Sequence, residues 1–186
     1  MIILGVDPGT LVTGYGVIQV EGSAITLLDF DVIINRNERS MPLRLKEIYA
    51  KLCEVIAKYH PDEFAIETAF YGRNAQSALK IGHARGVSML AAVNNEIPTI
   101  EYSPREVKKA VVGNGAASKQ QVKYMVKSLL RMRETPKLFD ATDALAVALC
   151  HQHRIAHTKS NRKPSARHKD WASFVKANPN RVLKPR

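Results

Sequence analysis

The sequence is poor in cysteine and contains no apolar run long enough to span a membrane. Its two cysteines, Cys53 and Cys150, lie far apart and in no CxxC pattern, which excludes a disulfide framework and a zinc site of that type. The apolar run at residues 2–6 is broken by Asp7 and Pro8, so it lacks the length and the charged flank of a signal peptide. We therefore expect a cytoplasmic protein with reduced thiols.

The sequence is also short of acidic residues, with 17 Asp and Glu against 28 Lys and Arg and a formal net charge of +11. Most of this charge lies at the C-terminal end, because residues 157–186 contain nine Lys or Arg and one acid, Asp170, a net +8. Clustered cations neutralise phosphates and release the counterions condensed on them. The composition favours a polyanionic partner, whether DNA, RNA or a membrane surface, over a tail that only keeps the chain soluble.

Length and apolar content predict one folded domain followed by a basic tail. The 186 residues are 45% hydrophobic, which is enough for a single core. The helical apolar pattern ends near His153, and the segment after it has few large apolar residues except Trp171, Phe174 and Val175. We expect a domain over residues 1–156 and a mobile tail over residues 157–186, with one short helix around those three side chains.

Apolar periodicity predicts an α/β domain. The first part of the chain alternates β-branched segments with Pro/Gly turns, which indicates three antiparallel strands over residues 2–6, 12–20 and 24–34. The later segments indicate, in order, a helix over residues 42–59, a strand over 62–67, a helix over 75–96, a strand over 97–102, helices capped by Ser103 and Ser118, and a helix over 140–153. This order predicts a mixed five-stranded sheet flanked by helices on both faces.

Four carboxylates stand where such a sheet places its ligands. Asp7 and Glu67 each end an apolar strand, and the ends of strands in α/β sheets are common binding sites. Asp140 and Asp143 are three residues apart at the start of a helix and therefore share a face, although capping of that helix is an alternative role for them. The alanines that follow allow this helix to lie close to the sheet, so we expect the four acids to converge.

A cluster of four carboxylates predicts a metal site. Their repulsion requires cations, and ligation by oxygen alone selects Mg²⁺ or Mn²⁺ over zinc. Two such ions about 4 Å apart activate water and stabilise the leaving oxygen in phosphodiester hydrolysis. His151 and His153 are excluded from this site, because His151 lies ~16 Å along the helix axis from Asp140.

The motifs that carry these acids resemble those of the RuvC family of junction resolvases. The matching segments are GVDPGTLVTGYGVI, DEFAIETAFYGRNAQSALKIGHARG, SPREVKKAVVGNGAASKQQV and DATDALAVALCH, and they cover nearly all of residues 1–153. The resemblance implies a ribonuclease-H-like fold, with Asp7, Glu67, Asp140 and Asp143 as the catalytic, metal-binding acids. It also implies a Mg²⁺-dependent endonuclease that acts on four-way (Holliday) junction DNA in recombination and repair. The implied partner is the RuvA and RuvB branch-migration complex, and no association with a membrane is expected.

The same resemblance assigns three further residues to DNA binding, and we add Arg73 from the loop that follows Glu67. Phe70 matches the aromatic residue that the family inserts near the junction crossover, and Arg73 lies in the same predicted loop, which makes burial of Phe70 in the core the less favoured role. Lys108 and Lys119 match basic residues near the scissile phosphate. Without the resemblance, each lysine is better explained as an ordinary surface residue.

A stripe of small residues, Ala78, Gly82 and Gly86, runs along the helix predicted over residues 75–96. Such a stripe often packs on the sheet of its own domain. A two-fold dimer, however, matches the symmetry of a four-way junction and provides two paired cuts. The resemblance implies a homodimer, and we adopt that expectation.

Three other functions are weighed against this one. A phosphotransferase of the actin and sugar-kinase type shares the strand meander and the Asp7-Pro8-Gly9 turn, but it needs a second glycine-rich phosphate loop and a longer chain. A shorter family of resolvase-like proteins linked to ribosomal RNA maturation shares the turn without the FAIETAF and DATDALA segments. A junction-binding protein without catalysis is disfavoured because all four acids are present.

Overall fold

The computed structural model describes residues 1–37, 40–68, 75–132 and 138–160, the last four of these by backbone alone. The chain divides into two compact units, Met1–Arg154 and Ile155–Arg186. The helices and strands in the described residues are, in order, β1 (Ile2–Asp7), β2 (Val12–Glu21), β3 (Ala24–Ile34), α1 (Met41–Tyr59), β4 (Glu63–Glu67), α2 (Ala75–Val93), β5 (Thr99–Tyr102), α3 (Pro104–Val112), α4 (Lys119–Leu129) and α5 (Phe139–Ser160). Within the described ranges, no helix is both long and apolar enough to cross a membrane.

The five strands form one mixed sheet in the order β3-β2-β1-β4-β5. The first three are antiparallel neighbours, and Gly22 adopts the positive φ of 61° in the tight turn between β2 and β3. Strands β4 and β5 reach the sheet after helices and pair in parallel, β4 with β1 and β5 with β4. The predicted α/β class and the mixed five-stranded sheet are confirmed.

Helices α1 and α2 cover one face of the sheet. Alternate residues of β1, Leu4 and Val6, point to this face because side chains along a strand alternate between faces. They belong to one apolar cluster with Ile48 and Leu52 of α1 and Ala84 of α2, all fully buried. This cluster is the main core of the domain.

Helix α5 covers the opposite face, where it lies against glycines of β1 and β2. A Cβ at Gly5 would overlap the carbonyl oxygen of Ala144 and the side chain of Ala148, and a Cβ at Gly14 would overlap the carbonyl of Asp140. Small residues on both sides therefore allow backbone contact between helix and sheet. Helices thus flank both faces as predicted, and the start of α5 lies at the end of β1.

Three element boundaries differ from the prediction by more than one residue. Helix α5 continues to Ser160 instead of ending at His153, since no glycine or proline occurs before Pro164. Helix α2 ends at Val93 instead of Glu96, and Glu96 takes a left-handed φ of 58°. Strand β5 begins at Thr99, because Pro98 lacks the N–H that a ladder residue needs.

Candidate active site

The sheet places Asp7 and Glu67 side by side. They are the last residues of β1 and β4, which are parallel neighbours with Val6 opposite Ile66. Asp7 is two residues from Gly5 and therefore shares the face on which α5 lies. Two carboxylates thus emerge at the same edge of the sheet, under the first turns of α5.

Helix α5 brings the other two acids to this edge. Asp143 lines a cavity of about 180 Å³ together with Asp7 and Glu67. Asp140, one turn earlier, has its backbone against Gly14 and is close enough for its charge to act on Asp7. The structure therefore gathers three of the predicted acids around one cavity and places the fourth beside it.

Helices α3 and α4 bring two lysines to the same cavity. Both Lys108 and Lys119 line it, next to the apolar side chains of Val107 and Val122. Each helix is capped by the serine that the sequence predicts, and in both cases the cap is a capping box. In α4, the Ser118 hydroxyl accepts from the Gln121 N–H at 3.3 Å while the Gln121 side chain accepts from the Ser118 N–H at 2.8 Å. This cap fixes the backbone at Lys119, the first residue of α4.

The closest polar contact at the cavity joins Lys119 to Asp143. The Lys119 Nζ donates to the Asp143 Oδ2 at 2.6 Å, and the lysine side chain is 62% exposed while the aspartate is only 13% exposed. Burial lowers the pKa of Lys119, but the hydrogen bond and charge of Asp143, with the charges of Asp7 and Asp140, outweigh it and raise the pKa overall. Lys119 is therefore a cation that the protein itself supplies to the carboxylates.

The two strand-end carboxylates resist ionisation. Burial, followed by the charges of Asp143 and Asp140, raises the pKa of Asp7 from 3.8 to about 7, against the opposing charge of Lys119. Burial, followed by the charges of Asp7 and Asp143, raises the pKa of Glu67 from 4.5 to about 8. The three acids that line the cavity outnumber its two lysines, so a further cation would favour the ionised forms of Asp7 and Glu67.

The chemistry of the cavity fits a hard divalent cation. Its acidic groups offer only oxygen donors, which suit Mg²⁺ or Mn²⁺. Among the residues that the structure describes, no group of three or more Asp, Glu, His or Cys side chains is already arranged to hold an ion. A metal would therefore be held by Asp7, Glu67 and Asp143 after their side chains adjust. The first side chain to adjust would be Asp143, which now contacts Lys119.

His151 and His153 of α5 have structural partners. The buried His151 ring bonds to the Tyr102 hydroxyl at 2.6 Å through Nδ1 and to the Glu63 carboxylate through Nε2. Burial lowers its pKa, partly offset by Glu63. His153 donates from Nδ1 to the Ala110 carbonyl at 3.0 Å. These contacts join α5 to β4, β5 and α3.

Two features of the site are missed by sequence reasoning. One is the set of strand glycines, Gly5, Gly14 and Gly16, each blocked by α5 against any side chain. Glycines inside strands are a known signal of close backbone approach, so this could have been found. The other is the pairing of Lys119 with Asp143, for which the sequence has no local signal. Phe70 and Arg73 lie outside the described residues.

The fold and the carboxylate cavity together define a nuclease of the ribonuclease-H-like class. The family model "Crossover junction endodeoxyribonuclease RuvC" matches residues 3–151. A relative with that same description, from Salinibacter ruber, is 48% identical over 182 residues, covering 98% of this chain and 99% of its own length. The chain belongs to the RuvC family of crossover junction endodeoxyribonucleases, as its motifs predict.

Solved structures agree with this assignment. The chain is similar to Thermus thermophilus RuvC in complex with a Holliday junction substrate, with a TM-score of 0.80 and 33% identity over 85% of this chain and 96% of that one. The yeast mitochondrial Holliday junction resolvase shares the fold alone, with a TM-score of 0.62 at 16% identity over 86% of this chain and 82% of that one. The predicted fold family and enzyme class are confirmed.

Proposed function

We propose that this protein resolves Holliday junctions in recombination and repair by two symmetric, metal-dependent cuts. The observation that carries the proposal is the cavity in which Asp7, Glu67 and Asp143 meet Lys108 and Lys119, in a chain of this family. Carboxylates for a cation and ammonium groups for a phosphate, placed at one edge of a sheet, suit hydrolysis of a phosphodiester.

The four carboxylates are proposed to act with two Mg²⁺ ions, for which Mn²⁺ substitutes. The family resemblance implies a metal-dependent nuclease, and the raised pKa values of Asp7 and Glu67 are those of carboxylates that need a counter-charge. When bound, the metal would activate water and stabilise the leaving oxygen. Asp140, beside the cavity, completes the proposed ligand set, while Lys108 and Lys119 would contact the scissile phosphate.

Phe70 and Arg73 are proposed as DNA-binding residues of the segment that follows Glu67. The support is their position, since β4 ends at Glu67 in the cavity and the next residues along the chain are those of the matched family motif. An aromatic wedge at this point would help to unstack base pairs at the crossover. Arg73 would contact the phosphates beside it.

The surface of α2 supports a homodimer. A Cβ added at Gly82 or Gly86 would meet no atom of the described residues within 4 Å, so this part of the small-residue stripe does not pack on the sheet that the structure describes. The side chains of Leu79, Leu90 and Val93 occur at helical spacing along the same face and are 62%, 50% and 59% exposed. An apolar face with two glycines suits close approach of a second α2, and a two-fold pair would present two active sites to a junction.

The remaining assignments concern the tail, the partners and the compartment. We propose that residues 157–186 form a basic tail that follows the domain of residues 1–156 and adds affinity for DNA through charge alone. The family resemblance supports the RuvA and RuvB complex as partners. Both Cys53 and Cys150 are free thiols, which suits the reducing cytoplasm.

Cleavage mapping tests the proposed function. Purified protein is incubated with Mg²⁺ and either a synthetic four-way junction with a short homologous core or a linear duplex of the same sequence, each strand labelled in turn. We expect nicks at symmetric positions in two opposing strands of the junction and an intact duplex. Equal cutting of both substrates, or binding of the junction without cutting, would contradict the proposal.

A further inference from the structure

The ion pair between Lys119 and Asp143 links two helices across the mouth of the cavity. Its 2.6 Å length is that of a charge-assisted hydrogen bond, and it joins the start of α4 to the second turn of α5. The same ammonium also lowers the pKa of Asp7 and Glu67 through its charge. Lys119 therefore acts on three of the carboxylates that are proposed to hold metal.

The two partners of this pair differ in freedom. Asp143 is mostly buried and lies on a helix that is packed directly on the sheet. The Lys119 side chain is mostly exposed, and only its backbone is fixed by the capping box at Ser118. A flexible four-carbon stem allows the ammonium to leave Asp143 while α4 stays in place. The movable element of the pair is the lysine head group.

A divalent cation and this ammonium compete for the same carboxylate. The Asp143 Oδ2 already accepts a hydrogen bond from Lys119, and two positive groups on one carboxylate repel each other. The lack of a ready-made ligand group among the described residues agrees with an Asp143 engaged elsewhere. A cation that binds this carboxylate therefore weakens the ion pair, and the ion pair weakens the binding of the cation.

We propose that Lys119 is a tethered competitor for the metal: it holds Asp143 in the metal-free protein, is displaced when the cation binds, and is thereby released toward the substrate phosphate. The inference rests on the proposed metal site and adds how metal binding at that site is regulated. Any group that draws the ammonium away, such as a DNA phosphate, then favours metal binding, and the reverse holds by linkage. The cavity would bind metal and DNA cooperatively.

Metal binding without DNA tests the competition. The affinity for Mn²⁺ is measured from the free-ion electron paramagnetic resonance signal for the wild type and for Lys119→Met, which keeps the stem and removes the charge. We expect about three- to tenfold tighter binding by Lys119→Met, somewhat above the effect of an exposed pair. Lys108→Met controls for loss of positive charge at the same cavity, and Lys127→Met for loss of charge elsewhere on α4. Both should change the affinity less than Lys119→Met.

A second measurement follows the lysine itself. Lysines are reductively dimethylated with ¹³C, which keeps their charge, and the Lys119 resonance is assigned by its loss in Lys119→Met. Saturating Mg²⁺ should move this resonance toward the position of an exposed lysine such as Lys127. A resonance that stays in place, or a Lys119→Met affinity no higher than that of Lys108→Met, would overturn the inference. Absence of any Mn²⁺ binding that depends on Asp7 would overturn the proposed metal site as well.

Discussion

Replacing Asp7 with Asn should stabilise the metal-free protein. The folded state raises the pKa of Asp7 from 3.8 to about 7, mainly through burial and the charge of Asp143. One pKa unit corresponds to about 1.4 kcal/mol, so ionised Asp7 destabilises the fold by an upper limit of about 4 kcal/mol. The Asn amide is itself buried and loses the attraction of Lys119, which reduces the expected gain to about 1–3 kcal/mol.

The stability gained by Asp7→Asn should increase with pH. The folded pKa lies above the unfolded one, so the destabilisation by Asp7 is absent below its unfolded pKa of 3.8, grows as the pH rises and is complete above about pH 7. Part of this destabilisation is shared with Glu67, because the charge of Asp7 also raises the pKa of Glu67. The difference between mutant and wild type should therefore be larger at pH 8.5 than at pH 5.5.

Urea denaturation in EDTA at these two pH values measures the effect. Glu54→Gln is the matched control, since it neutralises an exposed carboxylate whose solvent-screened pairing with Lys51 contributes little to stability. Added Mg²⁺ should then stabilise the wild type and leave Asp7→Asn nearly unchanged. The explanation fails if the mutant is no more stable than the wild type at pH 8.5, or if its advantage is the same at both pH values.

Four further predictions follow from the other parts of the molecule. Gly5→Ala should cost about 1–3 kcal/mol in urea denaturation and slow cleavage, because its Cβ forces α5 away from β1; unchanged stability would contradict the backbone contact. Gly82→Leu should shift the sedimentation of the proposed dimer toward that of the monomer. A dimer that stays intact would show that α2 is not part of its interface. Phe70→Ala should bind junctions normally yet cut them poorly, with less brightening of 2-aminopurine at the crossover, since unstacking costs a few kcal/mol. Truncation after Ala156 should make the slope of log affinity against log salt less steep by about 2.7 if the tail makes three phosphate contacts, and cutting at saturating DNA should be preserved. Equal slopes for the full-length and truncated protein would show that the tail does not contact phosphates.

The parts of the fold that local chemistry determines are predictable from the sequence. Serine followed by Glu or Gln three residues later indicates the starts of α3 and α4, and both capping boxes form at Ser103 and Ser118. The strand ends at Asp7 and Glu67 follow from apolar runs that stop at an acid. The errors at Pro98 and after His153 have local causes as well, a missing donor in one case and an uninterrupted helix-forming segment in the other.

The parts of the fold and of the site that depend on contacts between distant residues are harder to predict from the sequence. The convergence of Asp143 with Asp7 is inferred from the alanines of α5, but the glycines of β1 and β2 that complete the contact are visible only as isolated signals. The Lys119–Asp143 pair joins residues on different helices, and its formation depends on the packing of both and on one side-chain rotamer. Such pairs have no sequence pattern of their own.

The central claim is that the carboxylates of this cavity perform the cleavage of junction DNA. The most direct test compares single-turnover cleavage of a four-way junction by the wild type and Asp7→Asn at saturating protein, with junction binding measured in parallel in the absence of metal. We expect equal binding and no detectable cutting by the mutant, because the substitution removes a metal-binding charge and leaves Lys108 and Lys119 in place. Cutting by Asp7→Asn at a rate near that of the wild type would contradict the claim.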